Sequence, residues 1–121
     1  MLKKKKEDIE KILNQEILGN IEKPGRYTGK EYNQIIKEEK SDNIKIALAF
    51  PDLYEIGMSY LGFKILYDII NKRNDAQAER VFSPAGDMEK LMSEKGIPLF
   101  SLETYRPIGE FDIIGFSLQH E

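Results

Sequence analysis

Asp52 and Glu55 lie three residues apart, with Tyr54 between them, directly after an apolar run that ends at Phe50-Pro51. Two carboxylates in one crevice can serve as general acid and base when their environments separate their proton affinities. The same two residues can instead cap the helix that follows, whose dipole favours negative charge at its start, and capping is the commoner arrangement. Tyr54, Ser59, Ser83, Ser117 and Gln119 fall at or just beyond the carboxyl ends of expected strands. Hydroxyls and an amide gathered there form the polar part of a ligand crevice. Other chemistries are weaker. Gly57-Met58-Ser59-Tyr60-Leu61-Gly62 followed by Phe63 and Lys64 approaches the phosphate-cradling spacing GxxxxGK(S/T). The lysine comes one residue late, however, and Ile65 stands where a magnesium-binding hydroxyl is needed. No GxGxxG occurs, so the dinucleotide fingerprint is absent. His120 is the only histidine, without a second ligand at a metal spacing, and no residue is assigned a catalytic or metal-binding role. The chain has no cysteine, so it supplies no thiolate for a zinc site, an iron–sulfur cluster or a nucleophile.

These residues need elements to hold them. Ala47 to Gly62 reads as strand, loop and helix, the junction at which α/β folds bind ligands. Ile44, Ile46, Leu48 and Phe50 form one apolar face of a strand and Ala47 and Ala49 the other, which makes the strand a covered one. A helix restarts near Met58, with Met58, Leu61, Gly62, Ile65, Leu66, Ile69 and Ile70 as its buried face. Gly62 on that face lets the helix approach the sheet closely. A second strand is expected over 78–82, then a loop over 83–87 in which Asp87 caps a helix through Met88, Leu91 and Met92. Gly96 and Pro98 end that helix. A third strand over 99–102 and a fourth, buried one over 112–117 follow. The expected crevice comprises 51–59, 83–87 and 117–120, with Pro51 and Gly57 in its wall. A buried fourth strand needs a covering layer, so the sequence is expected to be the front of something longer, or to meet a partner that supplies that layer.

Ahead of this unit, Ile9, Ile12, Leu13 and Ile17 draw one stripe along a helix over about 4–18. The stripe contacts another domain or subunit, or packs on the chain's own sheet. Lys23 to Asn33 reads as an ordered loop in which Arg26 and Tyr27 could clamp a phosphate or a partner, or merely pin the loop. The expected division is therefore 1–43, helix and loop, and 44–121, an α/β unit with a mainly parallel sheet.

Composition narrows the function class. Hydrophobic residues make up 40% and charged residues 32%, as in globular proteins. No apolar run nears the ~20 residues that span a bilayer, and no secretory h-region follows the early lysines. The cytoplasm is the expected compartment, with no membrane partner. A net charge of −3 disfavours nucleic-acid binding.

Four runs carry a family resemblance: Pro24 to Asn33 (PGRYTGKEYN), Ala49 to Ser59 (AFPDLYEIGMS), Glu79-Arg80-Val81-Phe82, and Gly115-Phe116-Ser117-Leu118-Gln119. A weaker likeness runs from Pro98 to Glu103. Together they resemble the amino-terminal part of a family of bacterial radical SAM proteins. The resemblance implies a Rossmann-like or flavodoxin-like domain similar to cobalamin-binding domains, non-catalytic, with an amino-terminal helical arm. It implies cobalamin as the cofactor, with Pro51, Asp52, Tyr54, Glu55, Gly57, Ser59, Ser83, Ser117 and Gln119 as the cofactor-binding residues. The 4Fe-4S cluster and S-adenosylmethionine would belong to a core elsewhere in the full-length protein, the expected partner along with a second copy. Asp52-Leu53-Tyr54-Glu55-Ile56-Gly57 keeps the aspartate and glycine of the cobalamin motif DxHxxG but places Tyr54 where the cobalt-ligating histidine falls. The alternative is an interaction or oligomerisation module, docking through its first helix and the loop from Arg26 to Asn33. An independent enzyme using Asp52 and Glu55 is the third reading.

Overall fold

The structure, a computed structural model, describes residues 6–29, 34–37 and 42–117. Lys30, Glu31, Tyr32, Asn33, Leu118, Gln119 and His120 lie outside the described residues. Three parallel strands form the sheet: β1 (Ile44–Phe50), β2 (Ala76–Phe82) and β3 (Ile113–Phe116), in the order β2-β1-β3. Ile44 pairs with Ala76, and Ile46 with both Ala78 and Ile113. With its flanking helices this is a small α/β unit consistent with a Rossmann-like or flavodoxin-like fold, and the strand order is that with which a flavodoxin-like sheet begins.

Side-chain alternation builds two of the three cores. Leu48, Phe50 and Ala78 lie under Phe63 and Tyr67 of helix α3 (Leu61–Asn71). Ala47, Ala49 and Val81, on the other face, meet Ile108 and Phe111. The third core gathers Ile9, Leu13 and Ile17 against Met88, Met92, Ile97, Phe100 and Tyr105. Both methionines sit on helix α4 (Gly86–Lys95). The arm that supplies the isoleucines starts as α1 (Lys6–Ile12) and continues through a π turn at Leu13–Ile17 and a 3-10 turn at Leu18–Asn20. Its stripe thus packs on α4 and the segment after it, within this chain.

Four local expectations change. The helix after β1 is two helices, α2 (Tyr54–Met58) and α3, because Tyr60 is extended at φ −95° and ψ 105°. That break resets the phase of α3. Phe63 and Tyr67 turn inward, while Leu61, Ile65, Leu66 and Ile69 are exposed. The larger aromatics win the sheet face because they bury more area and because the Tyr67 hydroxyl finds buried partners. Gly62 is exposed, and a Cβ there would have only the Tyr60 ring, at 3.8 Å, for a neighbour, so no close approach requires it.

Asp87 is not the cap of α4; Ala85 occupies that position. From the second residue of α4, the Asp87 carboxylate accepts Glu22 N–H at 2.8 Å and its neighbour Met88 N–H at 2.8 Å. Gly96 does end α4, at φ 68°, with Ile97 N–H returning to Met92 O at 2.8 Å. Residues 99–102 form no strand. They make a tight turn with a single antiparallel bridge, Phe100 to Pro107, in which Ser101 N–H reaches Arg106 O at 3.0 Å and Leu102 N–H reaches Arg80 O at 2.9 Å. Finally, β3 lies at an edge of the described sheet and is not covered: Ile113, Ile114 and Phe116 are exposed. Among the described residues no helix is long and apolar enough to cross a membrane.

Candidate functional site

The crevice expected from the sequence would lie at the carboxyl ends of the strands. After β1 the chain turns sharply, with Asp52 N–H on Phe50 O at 2.8 Å, and Asp52 O accepts Ser83 N–H at 2.9 Å. The loops after β1 and β2 are thereby clamped together. Ser117 N–H extends the ladder between β1 and β3 by bonding Ala49 O at 3.0 Å. Pro51, Asp52, Ser83 and Ser117 therefore share one end of the sheet.

The two carboxylates do not act as a pair. Asp52 Oδ1 accepts the N–H of its neighbour Leu53 at 2.8 Å, but Leu53 is the N-cap of α2 and no side-chain cap bond forms there, so Asp52 does not cap the helix as expected. Glu55, in the first turn of α2, pairs instead with Arg26 Nε at 2.7 Å. The Arg26 guanidinium holds the Glu55 carboxyl below its ordinary range. Arg26 arrives on the 3-10 turn Pro24–Arg26, and the next residue, Tyr27, is buried with its hydroxyl accepting Ala85 N–H at 3.0 Å. Both residues of that loop pin it across the ends of β1 and β2.

Tyr54 packs edge-on against Phe82, with ring centroids 5.5 Å apart at 84°. Gly57 is buried, and a Cβ there would run into the Phe82 ring and lie 3.3 Å from Phe50. Gly57→Ala is expected to destabilise by about 1–3 kcal/mol, as overpacking does, read as a lowered urea midpoint with unchanged slope. Ser59 Oγ donates to Ile56 O at 2.8 Å and serves the end of α2. A cavity of about 20 Å³ lies behind the loop after β2, lined by Arg26, Tyr27, Phe82, Pro84, Met92 and Leu99 and by no residue of 51–59. That holds roughly one water. A larger hollow of about 370 Å³ lies away from the strand ends, beside Glu7, Glu10, Gln34, Glu103 and Tyr105. Among the described residues no group of three or more His, Cys, Asp or Glu side chains could hold a metal ion.

A buried polar cluster, which periodicity did not disclose, lies beneath these loops. Glu103 accepts Arg80 Nε at 2.7 Å, Arg80 N–H at 2.9 Å and the Tyr67 hydroxyl at 2.6 Å. The Arg80 guanidinium also stacks over Tyr67, 4.7 Å from the ring centre. On the other face of β2, Glu79 Oε1 accepts Ser101 Oγ and Thr104 Oγ1, each at 2.6 Å. Burial pushes the Glu103 carboxyl up, and Arg80 pulls it partly back. The available signal was Glu79-Arg80, two adjacent charges inside a strand otherwise made of small and apolar residues and one glutamine. Charges on opposite faces of a buried strand need partners on both sides, and the 101–106 turn and α3 supply them.

Comparison with known proteins finds that residues 62–121 match the family model for the N-terminal part of radical SAM proteins. The matched stretch contains nearly all of α3 and the whole of β2, α4 and β3, with Glu79, Arg80 and Glu103, and it begins after the loop over 51–59. No curated protein and no solved structure matches the chain.

Proposed function

We propose that this chain is a non-catalytic N-terminal module of a radical SAM protein, one that keeps the fold of a cobalamin-binding domain while closing the cobalamin crevice with its own side chains. The family match over residues 62–121 supports the first part, and the β2-β1-β3 order of the parallel sheet agrees with the fold. The observation that carries the second part is the aromatic filling at the strand ends. Tyr54, at the position of the cobalt-ligating histidine, is packed on Phe82, and Phe82 in turn blocks the space above Gly57. The residues present do not fit cobalamin held by a protein nitrogen, and no chemical step is assigned to that group.

The radical chemistry of such a protein would belong to a core carrying the cluster and S-adenosylmethionine; this chain has no cysteine to ligate one. Its own carboxylates, Asp52 and Glu55, are engaged separately by a backbone N–H and a guanidinium. Their role is to fix the loops, which is what a module that positions a neighbour requires. Titrating the purified chain with hydroxocobalamin tests the proposal. Unchanged cobalamin absorbance and no heat of binding are expected; saturable binding at micromolar concentration overturns the closed-crevice reading.

A further inference from the structure

We propose that the outer edge of β3 is a self-association site, at which β3 of a second copy of this chain adds antiparallel about a two-fold axis at Gly115. The sheet has two outer edges, and among the described residues the chain closes only one of them. On β2, Ala76 O accepts Lys37 Nζ at 2.7 Å, and the Asn71 amide takes both main-chain groups of Ala78, at 2.9 and 3.1 Å. Arg80 N–H donates to Glu103 at 2.9 Å, and Arg80 O accepts Leu102 N–H at 2.9 Å. Side chains and a turn thus stand where a further strand would pair. On β3, Ser117 N–H reaches Ala49 O, so by alternation Gly115 also turns its main chain to β1, while Ile114 and Phe116 turn theirs outward. Among the described residues no strand pairs with that edge. An open edge of this kind is a template for another strand.

The register selects a second copy as the occupant. Hydrogen-bonded antiparallel pairs form between residues whose main chains both face the seam. Ile114 then exchanges its N–H and C=O bonds with the second copy's Phe116, Phe116 does so with the second copy's Ile114, and the two Gly115 residues meet at the axis. Residues directly opposite one another share a face of the sheet. Ile114 and Phe116, 41% and 64% exposed in the single chain, therefore cover one another twice, as two pairs of a β-branched and an aromatic side chain. They stand opposite Ala47 and Ala49, on the face that Ile108 and Phe111 already cover in part, so the join extends an existing core. On the opposite face, Ile113 lies against the second copy's Ser117. β3 itself carries no charge and no proline, the features by which edge strands resist pairing. The adjacent charge, Asp112, turns its carboxylate onto Lys45 N–H at 2.8 Å. An isologous contact needs one patch that is complementary to itself, and this edge is such a patch.

Sedimentation velocity of the whole chain over a concentration series is the first test, with a reversible monomer–dimer equilibrium expected. Amide exchange read by NMR then locates the contact without any substitution. Ile114 and Phe116 N–H are expected to exchange slowly in concentrated solution and rapidly in dilute solution, whereas Gly115 and Ser117 N–H stay protected by β1 in both. Phe116→Glu and Ile114→Lys are each expected to weaken the dimer at least about tenfold, since either one removes both Ile–Phe pairs, with the far-ultraviolet circular dichroism unchanged. Mixed in equal amounts, the two variants form a heterodimer that sets the introduced lysine against the introduced glutamate at one pair and keeps the parent residues at the other. Dimer is expected to return. A chain that stays monomeric throughout overturns the proposal. So does a dimer whose Ile114 and Phe116 amides exchange at the same rate at both concentrations, which would assign association to another surface, and so does a mixture no stronger than its components.

Discussion

Glu103→Ala is expected to destabilise the fold by about 3–5 kcal/mol, because it leaves the Arg80 guanidinium buried without its counter-charge. The side chains of Arg80 and Glu103 are 5% and 0% exposed, so water cannot replace the missing carboxylate. The loss extends further, since the Tyr67 hydroxyl and Arg80 N–H lose the same acceptor. Against a total stability of about 5–15 kcal/mol for a domain of this size, the variant sits near the edge of unfolding. Urea titration at low temperature reads it, and a midpoint within a few tenths molar of the parent would refute the claim. Replacing both partners, Arg80→Met with Glu103→Leu, is expected to recover most of the loss, as apolar substitution of buried pairs does.

The same carboxyl predicts a pH dependence. Its proton affinity is raised in the fold by burial. The folded chain therefore keeps a proton that the unfolded chain has already released, and stability falls as pH rises from the unfolded carboxyl range, about 4.3, through the higher folded value. Glu103→Gln does not titrate, so it is expected to remove this part of the slope.

How legible was this fold? The strand at 44–50 was readable because both its faces are apolar, and the stop of α4 because Gly96 adopts a left-handed conformation. The third strand expected over 99–102 is absent, because the largely apolar run Leu99-Phe100-Ser101-Leu102 does not reveal that Ser101 and Glu103 have buried partners on β2. Strand ends follow from strand pattern, so it was readable that Pro51, Asp52, Ser83 and Ser117 share one end of the sheet. The filling of that end was not visible, because it depends on Tyr54 and Phe63 both meeting Phe82 from different elements. Glu55 illustrates the same limit: its partner Arg26 is distant in sequence, and nothing in local spacing pairs them.

The phase of α3 gives the sharpest remaining test, through Phe63→Ala. Phe63 is 1% exposed, and its ring stands 5.6 Å from that of Phe50 at 74° and 5.6 Å from that of Phe82 at 58°. Truncation removes the ring that joins β1 to β2 at their carboxyl ends, and the neighbours cannot collapse inward because Gly57 already lies against Phe82. A loss of about 3–5 kcal/mol is expected, the range for buried aromatics replaced by alanine. Ile65→Ala, two residues on and equally apolar, is expected to change the stability of the dilute chain by no more than about 0.5 kcal/mol, as at other exposed positions. Sequence periodicity alone assigns the opposite ranking, with Ile65 inside. If Ile65→Ala proves the more damaging of the two, α3 is rotated relative to the sheet, and the closed crevice and the outward apolar face both fail with it. If Phe63→Ala is the more damaging, the break at Tyr60 has done what the pattern could not show: it turned the aromatic side of the helix onto the strand ends and left the aliphatic side exposed.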